Sequence, residues 1–304
     1  MKIFDVVVIG GGPAGLNAAM YAVRKELSVA IITTDIGGQM LLTNDIENYL
    51  GFSSISGFEL SEKMESHVKN YSIEFITAQV LKIEKKENFI TYLDDETVIE
   101  GKTCIITSGK RSRLLDIPGE AQFTGRGVSY CATCDGPFYR NKTVAIVGGG
   151  DSAVQAAIEL ATISPKVYLL VRSRIRAQEI LVKRMSEYKN IQVMLGYTPE
   201  EIKGDKKVNS VIIKNKENGQ LQSLEIEGIF VEAGGIPNVG FVPENLIRNN
   251  LGEIVTDKNS ATNIPGLFAA GDVTNNKYKQ VIIAAGEGAA AALSAHDYLL
   301  MSGK

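Results

Sequence analysis

The chain has 304 residues, of which 44% are hydrophobic and 22% charged, and a formal net charge of −3. That length supports two domains, each with its own core, and the composition excludes a disordered or fibrous protein. So small a net charge provides no overall attraction to nucleic acid or to an acidic membrane surface.

The first apolar stretch, residues 4–23, holds Asp5 and Asn17 and is broken by Gly10, Gly11 and Gly12. It reads as strand, tight turn and helix, not as a secretory signal or membrane span, and a cytoplasmic location is expected. The helical pattern runs through Leu16, Ala19, Met20 and Val23, and a second strand follows over residues 28–32. Further strands are predicted at 80–82 and 89–92. The run Thr103-Cys104-Ile105-Ile106-Thr107 reads as a buried strand with Cys104 as a small core hydrophobe. A junction without periodicity lies at 112–119. After it, Val144-Ala145-Ile146-Val147-Gly148-Gly149-Gly150-Asp151-Ser152-Ala153 echoes Val6-Val7-Val8-Ile9-Gly10-Gly11-Gly12-Pro13-Ala14-Gly15. It too is followed by a helical pattern, through Val154, Ala157, Ile158 and Leu160, and a strand at 166–171. Strands are expected at 208–214 and 226–231, and a second junction at 234–242. The last segment, 266–300, reads as strand, Gly-Asp turn and a long alanine-rich helix. The fold class is therefore α/β, with two strand–turn–helix–strand units of parallel sheet.

Gly10, Gly12 and Gly15 fit the G-x-G-x-x-G spacing. There the first glycine makes the tight turn, the second admits a pyrophosphate to the backbone, and the third lets helix pack on strand. The helix N-terminus offers free N–H groups to phosphates. Gly148, Gly150 and Ala153 fit the variant that ends in alanine. Alone, either motif is also compatible with a simple glycine-rich turn. Two such units suggest two dinucleotides, a flavin and a nicotinamide. Asp272, directly after the apolar strand Phe268-Ala269-Ala270, suits a hydrogen bond to a ribitol hydroxyl. Capping the following helix is the alternative.

Only Cys131 and Cys134 form a C-x-x-C pair, in Tyr130-Cys131-Ala132-Thr133-Cys134-Asp135-Gly136. Zinc normally needs four ligands, and beyond this pair the chain has only Cys104, His67 and His296, without ligand spacing. A redox pair is the stronger reading, with exchange favoured by a thiolate at a helix N-terminus. Asp135 stands where a proton could pass to or from a leaving thiolate.

Together these residues resemble the low-molecular-weight thioredoxin reductases over essentially the whole chain. The matching runs are Gly10 to Gly15 as quoted, Gly37-Gly38-Gln39, Glu47-Asn48-Tyr49, Cys131 to Gly136 as quoted, Gly148 to Ala153 as quoted, and Ile264-Pro265-Gly266 onward to Asp272. Lys279-Gln280-Val281, leading into Ala284-Ala285-Gly286-Glu287-Gly288, completes them. The resemblance implies two Rossmann-like dinucleotide-binding domains of three-layer β-β-α character, the second inserted into the first. Residues 1–112 and 243–304 would form the FAD domain, and 113–242 the insert with the cysteines. It implies FAD contacts at Gly10, Gly12, Pro13, Ala14, Gly15, Gly38, Gln39, Asn48, Val80, Gly109, Gly271, Asp272, Lys279, Gln280 and Val281. It also implies a homodimer, a rotating insert hinged at the two junctions, Cys134 facing the flavin, and Cys131 attacking thioredoxin.

The chain departs from the family at the 2′-phosphate clamp. NADPH-using members carry His-Arg-Arg-x-x-x-Arg after the second strand of the insert; here stands Val171-Arg172-Ser173-Arg174-Ile175-Arg176, with one residue fewer. Gly148, Gly150, Ser152, Ala153, Arg172 and Arg176 then mark a degraded nicotinamide site. Three readings follow. The shifted arginines still bind NADPH; the enzyme uses NADH, though no acid ends the strand to hold a 2′-hydroxyl; or the chain resembles the subgroup that takes electrons from reduced ferredoxin. The basic stretch Arg172, Arg174, Arg176, Lys183 and Arg184 suits an acidic ferredoxin. The leading expectation is ferredoxin-dependent reduction of thioredoxin. The alternatives are an ordinary NADPH enzyme and an oxygen-dependent dithiol oxidase.

Overall fold

The computed structural model describes residues 2–42, 46 and 48–303. Glu47, in one of the matching runs, and Lys304 at the end of the chain lie outside them. The chain divides into two compact units: residues 1–41, 48–111 and 236–304 form the first, and residues 42–47 and 112–235 the second.

In the first unit β1 (Ile3–Gly11), α1 (Pro13–Val23), β2 (Val29–Ile36), α2 (Gly57–Lys69), β3 (Ile73–Thr77), β4 (Val80–Lys85), β5 (Phe89–Leu93) and β6 (Val98–Ile106) come in succession. The linking strand β7 (Lys110–Ser112) leads into the second unit. There α3 (Glu120–Phe123), β8 (Val128–Ser129), α4 (Ala132–Asp135), β9 (Thr143–Val147), α5 (Asp151–Ala161), β10 (Lys166–Val171), α6 (Glu179–Met185) and β11 (Ile191–Leu195) are followed by β12 (Tyr197–Gly204), β13 (Val208–Asn215), β14 (Leu221–Glu225) and β15 (Gly228–Val231). The linking strand β16 (Gly235–Pro237) pairs with β7, and β17 (Leu267–Ala269) and α7 (Val281–Ser302) complete the first unit.

Among the described residues, the first unit has one seven-stranded sheet. β3, β2, β1 and β6 run parallel; β5 and β4 continue as an antiparallel hairpin. β6 is shared lengthwise. Its first half pairs with β5, and its second half pairs in parallel with β17, Cys104 opposite Leu267. The centre of this sheet has helices on one face and the β4–β5 hairpin on the other, so residues 6–9 of β1 and 104–106 of β6 are unbroken apolar runs. Val6, Val7, Val8, Ile105 and Ile106 are fully buried, which stabilises the unit by about 1.5–3 kcal/mol for each such side chain. Cys104 is also fully buried, and burial pushes its thiol far above the ordinary range. It is a core hydrophobe with no thiolate to offer.

Small residues let α1 and α7 approach closely. Ala14, Ala18 and Ala22 share a core with Ala291, Ala292 and Ala295, and a Cβ on Gly288 would collide with the backbone of Ala14. Residues 236–242, expected in the insert, belong to the first unit, because Val239, Phe241 and Val242 pack on its core.

The second unit repeats the plan. Its five-stranded sheet, ordered β11–β10–β9–β15–β8, is parallel throughout, and β12–β13–β14 form an antiparallel meander. α5 covers one face of the parallel sheet, with Ala153, Val154, Ala157 and Leu160 buried. The meander covers the other through Val211, Ile213 and Leu224. This is the α/β architecture of two Rossmann-like units, the second inserted into the first.

The tight packing of α1 gives a stability prediction. A Cβ at Gly15 would drive into the carbonyl oxygen of Gly10 and crowd the Thr107 hydroxyl. Gly15→Ala is therefore expected to lower stability by about 2 kcal/mol or more, read as the urea midpoint. An unchanged midpoint would mean that α1 can lift off β1 freely.

Candidate flavin cradle and redox disulfide

The three glycines of the first motif have three different surroundings. Gly10 has φ +119°, the left-handed half of the map, and a side chain there would strike the Thr107 carbonyl. At Gly12 a Cβ would meet nothing within 4 Å among the described residues. Gly15 is closed by Gly10. The middle glycine thus faces open space at the carboxyl edge of β1, while the outer two hold strand, turn and helix together. Thr107 reinforces the turn, its hydroxyl lying 2.9 Å from the Ile9 oxygen and 3.1 Å from that of Gly10. Pro13 opens α1, and Gly12, its N-cap, has no side chain to satisfy the first-turn N–H groups, so they remain available to an anion.

Other predicted residues gather around this turn. Gly38 begins a short 3-10 turn with Gln39 exposed on it, and a Cβ on Gly38 would lie 3.8 Å from the Gly12 Cα. At Gly271 (φ +79°) an added Cβ would stand 3.0 Å from the Ala14 side chain, bringing the Gly-Asp turn against the start of α1. Asn48 Nδ2 donates to Gln280 Oε1 at 3.0 Å. Gln280 is the N-cap of α7 and Val281 its first residue, so Asp272 does not cap that helix. Burial raises the Asp272 carboxyl above its ordinary range, opposed by Lys110 and Lys279.

The side chains of two expected contacts are engaged within the unit. That of Val80 is buried in its core. Lys279 points inward: its ammonium donates to the carbonyls of Asp272 (3.2 Å) and Thr274 (2.5 Å) and pairs with Glu253 at 3.2 Å. It props the Gly-Asp turn from behind. Gly109 has φ +63°, and its oxygen accepts the Asn238 N–H at 3.0 Å. Glu287, which had no chemical role in the sequence reading, accepts the Gly271 N–H at 2.7 Å and a bond from Asn276.

In the second unit Cys131 and Cys134 are joined as a disulfide, with Cα atoms 5.3 Å apart. Both are half-buried. The helix after Cys131, α4, is a single turn. Cys131 is its N-cap, and its sulfur accepts the Cys134 N–H at 3.2 Å. Asp135, also half-buried, accepts from Ser129 Oγ at 2.7 Å. Burial lifts its carboxyl above the ordinary value, and the Ser129 bond partly offsets this. Ser129 Oγ also accepts the Cys131 N–H at 3.1 Å, so one hydroxyl ties the acid to the cysteine. Sequence reasoning missed Ser129: nothing distinguishes a serine in a short apolar strand.

The second glycine turn has the same form. Gly148 has φ +155° and passes the Glu232 carbonyl closely; Ala153 is buried against it. At Gly150 a Cβ would meet nothing within 4 Å among the described residues, and Ser152 is exposed. The loop after β10 folds back on this turn. The Arg176 N–H donates to the Gly149 oxygen at 2.6 Å, and Gln178 donates from its backbone and side-chain nitrogens to the Asp151 carboxylate, both at 2.8 Å. Val171 is buried in the core. Arg172, Arg174 and Arg176 are exposed, and none is in an ion pair among the described residues.

Two turns of this geometry, with a disulfide in the second unit, agree with the comparison to known sequences. The pyridine nucleotide-disulphide oxidoreductase family matches residues 4–288. The chain belongs to that family. It is 42% identical over 98% of its length to a protein of Bacillus subtilis (strain 168) named NADH dehydrogenase, and spans 59% of that relative. Among solved structures it is similar to the thioredoxin reductase from Streptococcus pyogenes MGAS5005, with 41% identity, a TM-score of 0.92 and coverage of 98% of this chain and 99% of that one. It is also similar to a ferredoxin-flavin thioredoxin reductase from Clostridium acetobutylicum, at 35% identity and TM-score 0.52, covering 98% and 99% of the two chains. Family members of this kind place the chain among the oxidoreductases; no helix among the described residues is long and apolar enough to cross a membrane.

Proposed function

We propose that this chain is a flavoprotein disulfide reductase of the thioredoxin reductase type. The observation that carries the reading is the bonded Cys131–Cys134 pair with a half-buried acid beside it, in a chain whose other unit holds an open glycine cradle. The first unit's residues fit FAD: Gly12 and Gly38 leave room for a pyrophosphate, the first turn of α1 offers its N–H groups, and Asp272 lies by the same turn. Bound there, FAD supplies the electron pair that reduces the disulfide. The chain's own residues do the rest. Reduction converts the disulfide to two thiols with uptake of two electrons and two protons. The Cys134 N–H, aimed at the Cys131 sulfur, stabilises a Cys131 thiolate. That thiolate attacks a thioredoxin disulfide, forming a mixed disulfide and expelling a thiolate. Asp135, whose carboxyl burial raises above its ordinary range, is the group placed to pass that thiolate a proton. Cys134 then attacks Cys131, releasing reduced thioredoxin and restoring the disulfide.

For the donor we favour reduced ferredoxin. The support is the post-β10 loop: valine replaces the clamp histidine and is buried, serine replaces an arginine, and the three arginines present are exposed as a basic cluster with no ion pair among the described residues. Such a cluster attracts an acidic protein and quickens its encounter. A nicotinamide is the second reading, favoured by the intact Gly148–Gly150 turn and by the relative named NADH dehydrogenase. The family's homodimer and rotating insert belong to the same proposal.

Anaerobic mixing with the oxidised protein separates the donors. Flavin absorbance is expected to persist with NADPH or NADH and to bleach with reduced ferredoxin, more slowly as ionic strength rises. Rapid bleaching by a nicotinamide would overturn the ferredoxin assignment and make the arginine loop a working clamp.

A further inference from the structure

We infer that Glu120 is a positioning residue for the Cys131–Cys134 pair, acting through the phenol of Tyr130; the inference rests on the disulfide-exchange reading above. Glu120 opens α3 and is 4% exposed. Its two carboxyl oxygens accept four hydrogen-bond contacts from three donors. Leu115 N–H lies 2.9 Å from one and 3.0 Å from the other, Asp116 N–H 2.8 Å from the second, and the Tyr130 hydroxyl 3.0 Å from the first. The backbone bonds have a local explanation. Asp116 sits at φ +57°, a left-handed conformation unfavourable for a residue with a side chain, and the carboxylate holds that turn. The Tyr130 bond has none. It reaches out of the turn to the residue immediately before Cys131.

Tyr130 suits that tether. Burial pushes its phenol up to about 12, so it remains a donor through the physiological range. With it, the short segment leading into the disulfide is fastened at successive residues: Ser129 to Asp135 and to the Cys131 N–H, and Tyr130 to Glu120. While the disulfide is closed, the covalent bond itself holds Cys131 near Cys134. Once it is reduced, these anchors and the backbone bonds of the α4 turn do so. Disulfide formation within a dithiol depends on how well the two sulfurs are held within reach, the effective-concentration term of any intramolecular step. Cutting the Tyr130 tether therefore weakens re-formation of the disulfide relative to the dithiol.

The test uses the full chain as Glu120→Gln, Tyr130→Phe and the double variant. Each is equilibrated in oxidised and reduced dithiothreitol mixtures, quenched, and its free thiols counted by alkylation and mass spectrometry. The disulfide-to-dithiol equilibrium is expected to move toward the dithiol by about threefold to tenfold in Tyr130→Phe, the range of one hydrogen bond. The double variant is expected to move no further than Tyr130→Phe alone, because Glu120 reaches the segment before Cys131 only through the phenol. A purely structural role would lower the thermal midpoint and leave this equilibrium in place; that result in Tyr130→Phe overturns the inference. Fully additive shifts overturn it too. If Glu120→Gln does not fold, Tyr130→Phe decides alone. The measurement needs no thioredoxin. A failure of the reductase reading would appear separately, as a pair that equilibrates normally while the protein turns over no thioredoxin.

Discussion

Cys134→Ser is expected to bind its flavin normally and lose thioredoxin turnover by about a thousandfold or more, as when one member of a chemically indivisible unit is removed. The remaining Cys131 retains the Cys134-position N–H on its sulfur, since that donor is backbone. It should therefore still attack a thioredoxin disulfide. With no second thiol to resolve the product, the mixed disulfide accumulates, and intact-mass measurement after mixing would find the two chains joined. Cys131→Ser should lose turnover as fully but form no such adduct with thioredoxin. A Cys134→Ser enzyme that reduced thioredoxin at full rate would eliminate the proposed path. Mutating Cys104 provides the contrast: its thiol is fully buried and far above the thiolate range, so Cys104→Ala should change stability and leave turnover per folded molecule alone.

The second large effect concerns Asp135. Asp135→Asn keeps the shape and the oxygen that accepts from Ser129 but cannot carry a proton. Turnover is expected to fall by about a hundredfold or more, the usual worth of a positioned acid. Stability should move the other way. Burial raises the folded-state value of this carboxyl above its unfolded one. Its contribution to stability is therefore fully present below the ordinary carboxylate range and is lost as pH rises through the elevated folded value. At neutral pH the aspartate costs stability that asparagine does not. Thermal midpoints should show Asp135→Asn above the parent at pH 7, with the gap closing as pH is lowered. A variant less stable at pH 7 would mean that the charge of Asp135 is used in holding the turn. Lower stability with unchanged turnover would remove it from the chemistry.

Some of the molecule could be read from its residues because the physics is local. The repeat of apolar strand, three glycines and helix required two parallel-sheet units, and both are present, in β1–α1–β2 and β9–α5–β10. Glycine at positions 10, 12 and 15 implied one strained turn, one open backbone and one close packing. Those are the surroundings observed, since they are set by atoms a few residues apart. The C-x-x-C spacing put two sulfurs within bonding reach for the same reason. Cys104 in an unbroken apolar run was a core position by periodicity alone.

Tertiary structure decided what depends on distant crossings of the chain. Nothing in Val239, Phe241 and Val242 marks them as core of the first unit; the return of the chain at Gly235 and Ile236 does so. β17 finds β6 across more than half the sequence, which carries Gly271 and Asp272 to the start of α1. Lys279 braces the Gly-Asp turn, because the carbonyls of Asp272 and Thr274 and the distant Glu253 carboxylate converge on its ammonium. Ser129 with Asp135, Glu120 with Tyr130, Asp151 with Gln178 and Glu287 with Gly271 are all hydrogen-bonded pairs. Helical and strand patterning in a sequence records which face of an element is buried. It does not record which polar partner waits there, since that partner is chosen by how the buried elements dock and not by their spacing along the chain.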